Sequence, residues 1–216
     1  MPTQDYRNAK GERVPGNTTV IGSNLGWSKQ GLMYWAWQQG KDGKDFRQTR
    51  DDAADAGTLC HAMIEDDIKG TREAPKLGKL SDEIIAKAET GFLNYLEWKQ
   101  GIRLELITME VPLLSEKYQY GTTVDIIAKA NNRVCIVECK TSNSVYEDYL
   151  IQLSAQKAAW NENHADSKIE GMHLLKVNKE TAAFTHHFWG ELPGCFEAFL
   201  DLRDLHDRKK QIKKLM

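Results

Sequence analysis

No apolar run in this 216-residue chain approaches the length of a membrane span, so a helical membrane anchor is not expected. The opening residues, Met-Pro-Thr-Gln-Asp-Tyr-Arg, carry no signal-like apolar region, which makes a cytoplasmic setting the default expectation. Neither sign of charge dominates. The 29 Lys and Arg against 31 Asp and Glu leave a net charge of −2. That balance argues against a protein that coats nucleic acid indiscriminately, but it leaves room for a local basic groove. Cysteine is sparse, and none of Cys60, Cys135, Cys139 and Cys195 forms a CxxC pair. Cys135 and Cys139 lie four apart on one expected strand, roughly 13 Å end to end, too far for a disulfide. Reduced, packed thiols are the expectation. Internal repeats and low-complexity linkers are absent as well.

What remains is the composition of a folded domain, with 41% apolar and 28% charged residues. Residues 5–22 place Gly11, Pro15 and Gly16 between short β-prone pieces, suggesting a hairpin-like start. Helical spacing follows over 28–39 and from about Asp45 to Lys69, where Gly70 stops it. Ser81 reads as the N-cap of a third helix ending near Gly101. The period then changes. Residues 103–113, 118–129 and 133–141 read as strands, 145–161 as a helix, 169–178 and 181–189 as strands joined at Asn178-Lys179, and the region from Pro193 onward as a last helix. Helices, then βββαββ, then a helix make an α/β domain with a central sheet flanked by helices.

The stretch Ile136-Val-Glu-Cys-Lys-Thr141 raises the functional question. Side chains alternate along a strand, so Glu138 and Lys140 share a face at the end of an otherwise apolar run. Asp125 sits thirteen residues earlier, late in the preceding strand, where a hairpin brings it alongside Glu138. Two carboxylates and a strand-end carbonyl suit a hard cation such as Mg²⁺ or Mn²⁺. Lys140 can orient a water and steady phosphate charge, the parts that metal-assisted phosphodiester hydrolysis needs. For an isolated E-x-K, a cross-strand ion pair is the commoner meaning.

The stretch GTTVDIIAKANNRVCIVECKT resembles motifs II and III of the PD-(D/E)XK nuclease superfamily. Its RecB-type branch, which includes phage exonucleases and a mitochondrial genome-maintenance exonuclease, is the nearest in appearance. Asp125, Glu138 and Lys140 match that pattern residue by residue, with Val124 where a proline is usual. Upstream, Gly57-Thr58-Leu59-Cys60-His61 resembles the G-T-x-x-H helix motif, with Glu65 one turn on. Downstream, Gln152 matches Q-x-x-x-Y, and Gln156 replaces the tyrosine. The stretch from Tyr6 through Val14-Pro15 and Thr18-Thr19-Val20-Ile21 to Trp35 is also similar to the start of those phage proteins.

The resemblance implies a restriction-endonuclease-like core with an N-terminal helical extension. Residues 1–216 would form a single nuclease domain: 1–101 the hairpin and helical part, 102–190 the core, 191–216 the C-terminal helix. It implies a Mg²⁺- or Mn²⁺-dependent DNA exonuclease acting in phage-type DNA recombination, repair or degradation, in the host cytoplasm if of phage origin. Its partners would be DNA and a single-strand annealing or recombination protein. A structure- or sequence-specific endonuclease and a catalytically idle DNA-binding protein are the alternatives. The implied metal ligands are Asp125, Glu138, His61 and the Cys139 carbonyl, with Glu110, before Val111-Pro112, as a further acid. Lys140 would place the water, and Gln152 would hold Lys140 or a backbone phosphate. Iron–sulfur members carry three cysteines near the C-terminus, and only Cys195 stands there, so no cluster is expected. His164, His173, His186, His187 and His206 have no motif setting and read as structural or solvent-facing. Tyr34, Trp35 and Trp37 read as core, with stacking on a single-stranded base as the alternative. Trp160 reads as core.

Overall fold

The computed structural model describes residues 4–25, 30–70, 80–178 and 183–216, apart from the side chains at positions 30, 32, 50 and 52–54. A short hairpin, β1 (Tyr6–Arg7) and β2 (Arg13–Val14), opens it, followed by four helices: α1 (Asn17–Asn24), α2 (Gln30–Lys41), α3 (Phe46–Lys69) and α4 (Asp82–Gln100). Then come β3 (Leu104–Ser115), β4 (Tyr120–Ala130), β5 (Arg133–Thr141), α5 (Glu147–Asn163), β6 (Gly171–Val177), β7 (Phe184–Trp189) and α6 (Cys195–Lys213).

Local chemistry sets most of these boundaries. The Asp45 side chain accepts from the Arg47 N–H and starts α3, and Gly70 ends it in the left-handed conformation at φ 71°. Ser81 accepts from the Ile84 N–H to start α4. Asn131 and Asn132 both take positive φ, 50° and 69°, which a tight turn of the kind joining β4 to β5 requires.

The five long strands form one sheet in the order β3-β4-β5-β6-β7. β3, β4 and β5 pair antiparallel, β5 and β6 pair parallel, and β6 and β7 antiparallel. The parallel step needs a crossover, which α5 supplies. Neighbouring residues go to opposite faces. Ile127 and Ile136 pack with Val20, Leu153, Trp160 and Phe199 under α1, α5 and α6. Ile126 and Val137 pack with Leu59, Ile64 and Tyr95 under α3 and α4. A sheet covered on both faces buries its middle strands throughout, and every residue of β6 is buried. This is a mixed α/β fold with a central mixed sheet flanked by helices, as the strand and helix periods predict.

Two expectations change. Thr18-Thr19-Val20-Ile21 is helical, not β-like. Its branched residues have weak helix preference, but burial of Val20, Ile21 and Leu25 against the core decides the conformation. The α2 aromatics do not all serve as core: Tyr34 is 66% exposed and Trp37 56%, and only Trp35 is partly covered. Trp160 is core, its indole N–H donating to the Ser167 carbonyl. Residues 28 and 29 of the helix expected over 28–39, and Lys179 at the expected β6–β7 turn, lie outside the described residues.

Candidate active site

The β4–β5 ladder runs from Ala130↔Arg133 to Ile126↔Val137 and stops there. Beyond that point β5 stays paired only with β6, as far as Thr141↔Val177, while β4 stays paired with β3. The sheet therefore forks, and the next residue on each arm is Asp125 and Glu138. Alternation also breaks on β4, because Val124 packs in the α1/α5/α6 cluster and Ile126 in the opposite one. On the neighbouring strand Glu110 stands between the pairs Met109↔Ile126 and Val111↔Val124, at φ 49°.

From the α4 side, α3 delivers His61 and Glu65. His61 Nε2 lies 3.4 Å from Asp125 Oδ2, and Nδ1 lies 3.0 Å from Glu65 Oε1, an ion-pair distance whose angle falls short of a good hydrogen bond. Lys69 adds a contact of 3.5 Å to the other Glu65 oxygen. The motif glycine has a physical reason here: a Cβ on Gly57 would sit 2.7 Å from Thr141 Oγ1, so only glycine lets α3 press on the end of β5. Burial opposes a charge on His61, but Asp125 and Glu65 outweigh it and push the imidazole up to about 10. Burial likewise works against the Asp125 carboxylate, but His61 and then Lys140 hold its carboxyl below the usual range.

From the other side, α5 delivers two amides. Glu138 is 1% exposed. Its Oε1 accepts from Lys140 Nζ at 2.6 Å and Gln152 Nε2 at 3.1 Å, and its Oε2 from Gln156 Nε2 at 3.3 Å. Gln156 also donates to the Thr123 carbonyl at 3.1 Å, tying α5 to β4. Burial first, and then the Asp125 charge, push the Glu138 carboxyl above its ordinary value. Lys140 stays an ammonium, since burial is outweighed by Glu138 and Asp125. Its Nζ lies 5.5 Å from the centre of the Tyr149 ring.

These groups open onto a cleft of about 1180 Å³ that contains His61, Asp125, Glu138, Cys139, Lys140 and Gln152 in its lining. The Cys139 thiol is raised by burial and packs against the α3/α4 cluster. Glu110 is exposed and is not among the cleft-lining residues. Gln152 donates to Glu138, a partner different from the two expected for it. Sequence reading left the task of Gln156 open, and the structure makes it the second amide on Glu138. It also missed the cleft walls, where Tyr6, residues 16–19, His206 and Lys210 stand. The Tyr6 hydroxyl meets Thr123 Oγ1 at 2.8 Å, and its ring covers Gly121 so closely that a Cβ there would lie 1.9 Å from it.

Two carboxylates, an imidazole and strand-end carbonyls are the donor types a divalent metal of the Mg²⁺ or Mn²⁺ kind accepts. As they stand, no three His, Cys, Asp or Glu among the described residues converge as a ready metal cluster. The acids are instead closed on His61 and on Lys140.

No protein-family model matches the chain, and no curated protein matches it. Solved structures do. A provisionally named exonuclease from Eubacterium rectale superposes with a TM-score of 0.50 at 12% identity, over 71% of this chain and 65% of that one. The protein SSO0001 superposes with a TM-score of 0.35 at 14% identity, over 70% of this chain and 72% of its own. The first likeness shows a shared α/β fold. No helix among the described residues is long and apolar enough to cross a membrane.

Proposed function

We propose that this chain is a metal-dependent deoxyribonuclease, with exonuclease action favoured, of the PD-(D/E)XK type. The observation that carries the reading is the fork of β4 and β5, which leaves Asp125, Glu138 and Lys140 together at the floor of an open cleft. The fold shared with the E. rectale protein supports it. Asp125, Glu138 and His61 would hold Mg²⁺ or Mn²⁺, with the Cys139 carbonyl and Glu110 as further candidates. A bound divalent ion supplies charge for the phosphoryl oxygens and lowers the pKa of water.

The chain's own residues do the rest. Lys140 is a fixed ammonium that can hold a water or phosphate oxygen in line. Gln152 and Gln156 fix the Glu138 carboxylate, and Gln156 fixes it relative to β4 through Thr123. The substrate would be DNA, in recombination, repair or degradation of the phage type, with an annealing or recombination protein as partner.

The test is a gel with end-labelled single- and double-stranded DNA and a closed circle, in Mg²⁺, Mn²⁺ and EDTA. Loss of label from linear DNA with the circle intact is the expected result. Cutting of the circle would make the protein an endonuclease. Intact DNA of every kind, with DNA still bound, would make it an idle binding protein on the same fold.

A further inference from the structure

One wall of the cleft is the start of α1. Gly16, Asn17, Thr18 and Thr19 all line it. The first turn holds no acidic residue, and the N-cap is Gly16, which has no side chain to accept from the helix N–H groups. Helix N-termini present unsatisfied N–H groups and partial positive charge. A second, separate feature points the same way. Asn17 is 3% exposed, its Oδ1 accepts from the Thr18 N–H at 2.6 Å, and its Nδ2 has no partner among the described residues. A buried amide donor left unmatched at a helix start whose N-cap offers no side chain is costly unless something accepts from it. Lys210 on the facing α6 adds a cation to the same cleft.

The placement is rigid. Pro15 O accepts from the Gly121 N–H at 3.0 Å, and Gly16 bridges to Gly121, four residues before Asp125. Val20 and Ile21 anchor the helix body in the core.

We infer that the N-terminus of α1 is a phosphate-binding subsite, which holds a DNA phosphate other than the one attacked and so sets the position of the strand over Asp125 and Glu138. This rests on the nuclease reading above. The ligand chemistry is a phosphate oxyanion, either the monoester at a strand end or an internal diester.

The test compares Thr18→Asp with Thr18→Asn. Thr18 is exposed, an acid in the first turn suits the helix dipole and asparagine adds no charge, so Thr18→Asp should melt at or above the parent temperature and Thr18→Asn close to it. Affinity is read by anisotropy with short fluorescent oligonucleotides bearing 5′-phosphate or 5′-hydroxyl ends, in EDTA and again in Ca²⁺, across a salt series. Thr18→Asp is expected to bind about tenfold or more weakly, with a salt slope smaller by about one, because the new charge faces the phosphate. Thr18→Asn should stay within about twofold of the parent, since it adds no charge. A loss confined to 5′-phosphorylated ends assigns the terminal group, and an equal loss on hydroxyl ends assigns an internal diester. Parent-like binding by Thr18→Asp, or equal losses in both variants, overturns the subsite while a parent that still cuts DNA keeps the nuclease reading. A parent that neither binds nor cuts DNA overturns both.

Discussion

The fork of β4 and β5 and the β6–β7 edge of the same sheet bury polar groups in opposite ways. At the fork, Glu138 and Asp125 lie close together, and their charge is matched only by bringing in Lys140, His61 and two amides from three different elements. At the β6–β7 edge, His173, which pairs with Val137, and His186, which pairs with Leu175, share a 2.8 Å hydrogen bond and stack with rings at 18°. Trp98 of α4 packs on both, and Phe188 covers His173. Burial, and then the neighbouring imidazole, depress His173 to about 4, so that pair is held neutral. The fork keeps charge, at a cost, and opens to a cleft. The edge pair satisfies itself and needs nothing further. Buried polarity thus marks a functional site where the groups cannot neutralise one another, and packing where they can.

The sharpest way to break this contrast is Asp125→Asn. We expect DNA cleavage to fall to background while the chain stays folded with a lower melting temperature, because His61 and Lys140 lose the carboxylate that balances them and relief of Glu138 offsets only part of that. Cleavage kinetics and a thermal melt on the same preparation check both halves. Next in size is a pH effect at the β6–β7 edge. The folded pKa of His173 lies below its unfolded value, so the unfolded chain takes up a proton that the folded one refuses. Stability is therefore full above about pH 6.5 and is lost as pH falls toward 4, by at most about 3 kcal/mol. Urea titrations at stepped pH measure it, and a flat profile would contradict the neutral pair. The smallest effect expected is that of His186→Phe, which leaves the His173 Nδ1 without its partner and costs about 1–3 kcal/mol in urea unfolding. Its cleavage rate at neutral pH should match the parent. A large loss of activity there would mean that the fork and the histidine pair are not separate in function.

Much of this was legible from residues because it is local. Strand β5 runs over the residues its apolar run and flanking turn predict, 133–141, and Asn131-Asn132 marks its entry. Helix α3 begins and ends at Asp45 and Gly70 for capping reasons visible in the sequence. Glu138 and Lys140 share a face because strands have period two. The parts that were not legible are non-local. Helix α1 forms against local preference because Val20 and Ile21 are buried under α5 and α6. Tyr6 reaches Thr123 across 117 positions, and nothing in either neighbourhood announces the contact. The reach of Gln156 to both Glu138 and Thr123 depends on how α5 crosses the sheet. Glu110 reads as one more acid near the metal, yet its positive φ and exposure set it apart from the cleft-lining acids.

The claim that the fork is a hydrolytic centre, and not a buried ion pair, turns on Lys140. Arginine keeps the charge and binds phosphate well, but spreads it over a larger plane. A lysine that only balances Glu138 should tolerate the change. A lysine that must hold one water in line should not, since a displacement near 1 Å can cost roughly a hundredfold in rate. The most direct measurement is single-turnover cleavage of end-labelled DNA in Mn²⁺ by Lys140→Arg, alongside its DNA affinity. Near-parental binding with cleavage slowed by about a hundredfold or more is the expected result. Full cleavage by Lys140→Arg would show that Lys140 is a plain partner of Glu138 and that the fork is not a hydrolytic centre of this kind.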